Sequence, residues 1–309
     1  MELITFDNIV NMNISPKTCV EWAQEVIIKK KECILPPKIS IHFGENDNSF
    51  FNTMPSFIPF MNRFGVKEVS RLPERKPSLQ ADILLYDTKT GNLLTFMDGT
   101  WITTMRTGAV AAITAEKLKP SFTKEYSFIG LGNTARATLL CLNAINMKEN
   151  LKINILAYKD QHISFMERFK DFSNLQFNVY TNVKDMIKIS DVIFSCVTTA
   201  DCCFAEPECF KTGVLVVPVH TRGFQNCDLV FDKIYCDDIG HISGFKYFNE
   251  YKYVAELTDV LNDKNFKRND EDRLLAYNIG ISLQDVFFAS KIFDVFSNKL
   301  ASNDEKFWV

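Results

Sequence analysis

The chain has 309 residues, 46% of them hydrophobic and 24% charged, with 35 Lys and Arg against 38 Asp and Glu and a formal net charge of -3. That length and composition suit two globular domains and exclude a disordered chain. There is no block of basic residues to read as a footprint for DNA or RNA, and the apolar runs break well short of the roughly 18 residues a bilayer span needs, so neither nucleic acid nor membrane is an expected partner.

Met1 to Val10 lacks the basic start and apolar core of a signal peptide. The nine cysteines, Cys19, Cys33, Cys141, Cys196, Cys202, Cys203, Cys209, Cys227 and Cys236, follow no small secreted framework. A cytoplasmic protein with reduced thiols is expected. A structural zinc would need thiolates and imidazoles in paired spacing, and only Cys202-Cys203 with His42, His162, His220 and His241 are on offer, so no metal is expected.

In chain order, Ser15-Pro16 is an N-cap followed by proline in the first turn, and Val20, Ala23, Val26 and Ile27 recur at helical spacing, which predicts an amphipathic helix over residues 15–31. After Pro36-Pro37 the pattern turns strand-like. Ile83 to Tyr86, the turn Asp87 to Gly91, and Leu93 to Met97 read as a hairpin. From about Trp101 a helix rich in small residues, Thr107 to Ala115, runs to Lys119-Pro120, the expected domain boundary. Beyond it, strands at 125–130, 153–158, 192–197 and 214–219 alternate with helices at 134–145 and 164–172, a pattern that predicts a parallel, doubly wound sheet. A long helix over about 273–298 is expected to follow.

The expected fold is therefore α/β: a Rossmann-type domain, residues 119–285, plus an α+β domain made of residues 1–118 with a C-terminal helix, about 286–309. Phe128-Ile129-Gly130-Leu131-Gly132-Asn133-Thr134-Ala135 has the G-x-G-x-x-A form between a predicted strand and a predicted helix. Gly130 would allow the tight turn, Gly132 the approach of a pyrophosphate, and Ala135 close helix–strand packing, with the amides of Asn133, Thr134 and Ala135 turned to the phosphates. An NAD(P) cofactor is expected. The next strand ends Tyr158-Lys159-Asp160; a basic residue at the selecting position favours NADP and an acidic one NAD. Lys159 tilts the reading to NADP, with NAD the alternative. Cys196, Val197 and Thr198 end a further parallel strand, whose backbone is expected to border the cofactor, with Cys196 itself an apolar thiol.

Several stretches together resemble the ornithine cyclodeaminase/mu-crystallin family over nearly the whole chain: Pro36-Pro37-Lys38, Thr53-Met54-Pro55, Gly65-Val66-Lys67, Asp98-Gly99-Thr100, Thr103 to Ala109, the Gly130 turn, and Tyr277 to Asp285. The resemblance implies a homodimer formed through the first domain, and a small amino or imino acid held against the nicotinamide. It implies substrate contacts from Lys38, Met54, Lys67 and Arg106, and a cofactor contact from Thr107. Arg106 begins a helix and can grip a carboxylate through two parallel bonds. Lys67 can bond the carboxylate or steer protons at the reacting nitrogen. Lys38 stands where the family has arginine.

The family's catalytic aspartate, expected shortly after the strand at 214–219, is not in place; ungapped matching puts Arg222 there. His220, at the strand end with a suitable reference pKa, and Asp228 are the two candidates to replace it. His220 could instead be a hydrogen-bonded loop histidine, and Asp228 a turn or cap residue. Asp285, in a helical stretch, is assigned no chemistry. The implied activity is hydride transfer at the C–N bond of a small amino acid or its imine, by an imine reductase, amino-acid dehydrogenase or cyclodeaminase. The alternative is a non-catalytic NADP-dependent ligand binder.

Overall fold

A computed structural model describes residues 1–44, 49–197, 203–220 and 224–303. The chain opens with β1 (Glu2–Ile4), α1 (Phe6–Asn11) and α2 (Pro16–Ile28). Strands β2 (Ile39–Phe43), β3 (Ser49–Ile58), β4 (Arg63–Arg71), β5 (Leu79–Asp87) and β6 (Leu93–Asp98) lead into the long helix α3 (Thr100–Leu118). Then come β7 (Glu125–Ile129), α4 (Asn133–Ile145), β8 (Leu151–Leu156), α5 (Gln161–Arg168), β9 (Leu175–Tyr180), α6 (Val183–Ile189), β10 (Val192–Ser195) and β11 (Leu215–Pro218). The chain continues through β12 (Lys233–Cys236), α7 (Ile239–Ile242), β13 (Val254–Glu256), α8 (Leu257–Asn262), β14 (Leu274–Tyr277) and α9 (Ser282–Asn303).

Two compact units result. The first comprises Met1–Ser15, Lys29–Arg106 and the chain from Ile281 on; the second comprises Pro16–Ile28 and Thr107–Gly280. The expected boundary at Lys119-Pro120 differs from this division in two ways. Helix α2 goes with the second unit, where Thr258 Oγ1 donates to the Ile27 carbonyl at 2.5 Å and Asn262 Nδ2 to the Ile28 carbonyl at 3.0 Å. The division also falls inside α3, because its Gly108 touches α4: a Cβ added there would meet the Ala137 carbonyl carbon at 2.3 Å. Only a residue without a side chain allows that approach.

The first unit is a six-stranded sheet in the order β1-β6-β5-β4-β3-β2. All pairs are antiparallel except β1 with β6. Alternation decides its faces: Met54 and Ile58 on β3, Lys67 and Val69 on β4, and Ala81, Ile83 and Leu85 on β5 are buried. The opposite face is apolar but exposed at Leu3, Ile39, Ile41, Phe51 and Phe96. The second unit is an eight-stranded sheet in the order β13-β12-β14-β11-β10-β7-β8-β9, parallel throughout. Its central strands are buried along their length, as a sheet covered on both faces requires. From β9 the chain returns to the other side of β7, so the strand order reverses between β7 and β10. Ligands of such sheets bind outside the carboxyl ends at that reversal.

The helix expected over 273–298 is corrected. Leu274 to Tyr277 form the buried strand β14, and Gly280, at φ +89°, turns the chain before α9 begins at Ser282. A run of four apolar residues has no period by which helix and strand can be told apart. The helix expected over 164–172 ends at Arg168, the residues after Phe169 turning toward β9.

Candidate functional site

At the end of β7, Gly130 has φ +85°, and a Cβ there would meet the Cys196 carbonyl oxygen at 2.8 Å. Glycine is thus required both by the turn and by the approach of the β10 end. Gly132 is the N-cap of α4, with no side-chain cap, and a Cβ added to it would meet nothing within 4 Å. The first helical bond of α4 runs from Arg136 N to the Gly132 carbonyl at 3.1 Å, so the amides of Asn133, Thr134 and Ala135 have no helical acceptor. Ala135 is fully buried. Open space over Gly132 and uncapped amides at a helix start fit a dinucleotide pyrophosphate. Thr107, Cys196 and Val197 are half-buried, and burial pushes the Cys196 thiol far above its usual range, which removes it as a nucleophile. Thr198 lies outside the described residues.

Beyond β8, Lys159 and Asp160 are both exposed. Lys159 has φ +48° and its Nζ stands 5.3 Å from the centroid of the Tyr158 ring.

His220 is 5% exposed, and its Nε2 lies 3.2 Å from Ser195 Oγ at the end of β10. Burial lowers its pKa to about 4, so the ring is neutral at physiological pH. Among the described residues its Nδ1 has no hydrogen-bond partner. Asp228 sits differently. Its Oδ2 accepts from Tyr251 Oη at 2.5 Å, and its Oδ1 accepts from Tyr277 Oη at 2.6 Å and from Phe224 N at 3.1 Å. Burial raises its pKa, against the opposing pull of those donors. Both carboxylate oxygens are spent on the protein's own groups, a brace that ties Phe224 to Tyr251 and Tyr277. Thr221, Arg222 and Gly223 lie outside the described residues.

The first unit holds a different cluster. Lys67, 1% exposed, stands in register with Met54 across β3 and β4. Its Nζ lies 2.9 Å from Asp285 Oδ1, and the same oxygen accepts from Arg106 Nε at 2.8 Å. Arg106 Nη1 donates to Gln284 Oε1 at 3.2 Å. Lys67 and Arg106 are therefore buried ion-pair members, and Arg106 is the seventh residue of α3 and not the start of a helix as expected, too far from its N-terminus for the helix dipole to act on a bound carboxylate. Lys38, half-buried, lies near enough for its charge to act on Lys67. Met54 packs with Val69 and Ala81 as a core residue. Two cations share one carboxylate, which leaves positive charge for an anion.

Asp285, Gln284 and Ser195 went unassigned in the sequence. Asp285 had a partial signal: an acid beside the apolar run Val286-Phe287-Phe288-Ala289 on a helix is drawn into the core with it and then requires a cation. Which cation the helix would meet is not written in its own residues.

A doubly wound parallel sheet whose glycine turn lies open at the strand-order reversal defines a dinucleotide-binding α/β protein. The ornithine cyclodeaminase/mu-crystallin family matches residues 9–300, and the chain belongs to that family. It is 25% identical over 272 residues to the nodulation efficiency protein NfeD of Rhizobium meliloti, covering 84% of this chain and 83% of the relative. It is 22% identical to Delta(1)-pyrroline-2-carboxylate reductase of Bacillus thuringiensis, with 93% of each chain covered. Among solved structures it resembles the Delta(1)-pyrroline-2-carboxylate reductase of Thermococcus litoralis in complex with NADH and L-proline, with a TM-score of 0.85, 22% identity, and 97% of this chain and 98% of that one covered.

Proposed function

We propose that this chain is an NAD(P)-dependent oxidoreductase that acts on the C–N bond of a small imino or amino acid, in the direction of imine reduction. The observation that carries the reading is the buried Lys67–Asp285–Arg106 cluster, whose excess positive charge suits one substrate carboxylate. The relatives named for reduction of a cyclic imino acid support it.

A bound reduced nicotinamide supplies the hydride. Reduction of an imine then needs one proton at nitrogen and an anchor for the carboxylate. Arg106, its plane fixed by Asp285 and Gln284, is the anchor. Lys67 has its pKa lowered to about 8, chiefly by burial, so it holds a proton at neutral pH and can release it. His220, in the second unit, is neutral at physiological pH and adds no charge at its strand end. Asp228, with both oxygens occupied, acts as a brace and carries no proton in this scheme.

NADP is the preferred cofactor in this reading, with exposed Lys159 taking the 2′-phosphate. A homodimer is supported by the exposed apolar face of the first sheet, where Leu3 and Phe96 pair in register and Ile41 pairs with Phe51. Among the described residues the cysteines form no disulfide, which suits a reducing compartment such as the cytoplasm.

The test follows NADPH and NADH absorbance in the presence of cyclic imine carboxylates and of 2-keto acids mixed with amines. Oxidation of NADPH dependent on the imine supports the reading. Tight NADPH binding with no turnover on any of them would make the protein a ligand binder. Lys159→Asp should reverse the NADPH-over-NADH order, and unchanged affinities would remove Lys159 from the site.

A further inference from the structure

Lys67 comes from the middle of β4, Arg106 from α3 and Asp285 from the first turn of α9, so three elements of the first unit converge on one oxygen atom. Asp285 is fully buried, and among the described residues its second oxygen, Oδ2, has no hydrogen-bond partner. Burying a carboxylate with one oxygen unsatisfied costs stability, so its retention calls for a reason beyond packing. Its place in the first turn of a 22-residue helix lowers that cost, because the helix dipole favours a negative charge there. The start of α9 is itself fixed to β3, with Ser282 Oγ donating to the Pro55 carbonyl at 2.7 Å. The carboxylate is thus held rigidly against the two cations.

We propose that Asp285 is the positioning residue of this site: through one shared oxygen it orients Lys67 and Arg106 and sets the number of positive charges they present to a substrate carboxylate. The inference rests on the functional reading above for its substrate, and on the geometry alone for its effect on Lys67. The charged groups acting on Lys67 are Asp285 from α9, which favours its protonated form, and Arg106 from α3 and Lys38 from the segment before β2, which oppose it. Burial opposes it most, and the balance leaves the Lys67 pKa at about 8. Removing Asp285 takes away the carboxylate that favours protonation and leaves burial, Arg106 and Lys38 opposing it. Lys67 would then be neutral at physiological pH and could neither bind a carboxylate by charge nor give up a proton.

Two readouts separate this proposal from the substrate assignment. In protein labelled with [13Cε]lysine, the Lys67 signal is identified by its loss in Lys67→Arg and titrated by NMR, with no substrate present. The wild-type midpoint is expected near pH 8, Asp285→Asn should lower it by more than about one unit, and Asp285→Glu should bring it back toward wild type. A midpoint that stays put in Asp285→Asn overturns the proposal. In case Asp285→Asn does not fold, Asp285→Glu and Gln284→Ala carry the test: Asp285→Glu, which displaces the shared oxygen, should move the Lys67 midpoint by more than Gln284→Ala, which touches only Arg106, and the reversed order counts against it. With substrate, Asp285→Asn should lower kcat/KM at least tenfold at pH 7.5 and displace the pH profile toward acid, an effect a purely structural loss would not produce. If Lys67 titrates as expected but no carboxylate imine is turned over by wild type, the positioning role stands and the substrate reading falls.

Discussion

Ser195 Oγ and His220 Nε2 meet at 3.2 Å across the ends of two adjacent parallel strands, and Val219 N, donating to the Ser195 carbonyl at 3.0 Å, sets that spacing. The pair places a neutral imidazole at the strand-order reversal of the sheet.

The pH dependence of stability tests its charge state. The folded pKa of His220, about 4, is below the ordinary 6.5, so the unfolded chain takes up a proton that the folded one refuses between those values. This group leaves stability unchanged above about pH 6.5 and lowers it as pH falls toward 4, by about 3 kcal/mol at the limit. Urea midpoints measured from pH 7 to pH 4.5 should fall more steeply for wild type than for His220→Gln. Parallel curves would show that His220 does not titrate in that window.

Two glycines in one turn should behave oppositely. Gly132→Asp, placed where a side chain meets open space at an ordinary backbone angle, should fold with near wild-type Tm and lose dinucleotide binding in calorimetry, because the carboxylate would occupy the place of the pyrophosphate. Gly130→Ala combines φ +85° with a clash against the Cys196 carbonyl and should lose about 1 to 3 kcal/mol of stability. Unchanged cofactor affinity in Gly132→Asp would remove the turn from the nucleotide site.

The brace around Asp228 is expected to matter for folding more than for chemistry. Asp228→Ala leaves the Tyr251 and Tyr277 hydroxyls and the Phe224 amide without their shared acceptor, at a cost of about 2 to 4 kcal/mol. Asp228→Asn keeps the shape and should retain most activity. A thousandfold loss of kcat in Asp228→Asn at normal stability would instead make Asp228 the acid/base group.

Arg106→Lys keeps the charge and removes the fork that binds Asp285 and Gln284. Loss of a charge-assisted bond to substrate costs about 1.5 to 3 kcal/mol, a fall of roughly tenfold to over a hundredfold in kcat/KM, with cofactor affinity unchanged. A mutant with full activity on a carboxylate substrate would make Arg106 a structural ion-pair member only.

The nucleotide turn was legible in the sequence because all of its parts, strand, Gly130, Gly132, Ala135 and helix start, lie within a dozen consecutive residues, and local backbone demands fix their types. The hairpin of β5 and β6 and the apolar alternation of the first sheet were legible for the same reason. Tertiary structure alone decided the rest. Helix α2 precedes the first sheet's main strands in the chain, yet its apolar stripe is claimed by α4 and α8, a choice its periodicity does not contain. Lys67, Arg106 and Asp285 are separated by 39 and 179 residues, and only the packing of α9 on β3 and β4 brings one carboxylate to both cations. Asp228, a candidate acid/base group or a turn residue by its sequence, is bonded by Tyr251 and Tyr277, since a sequence records which groups can bond and the fold settles which of them are close enough to do so.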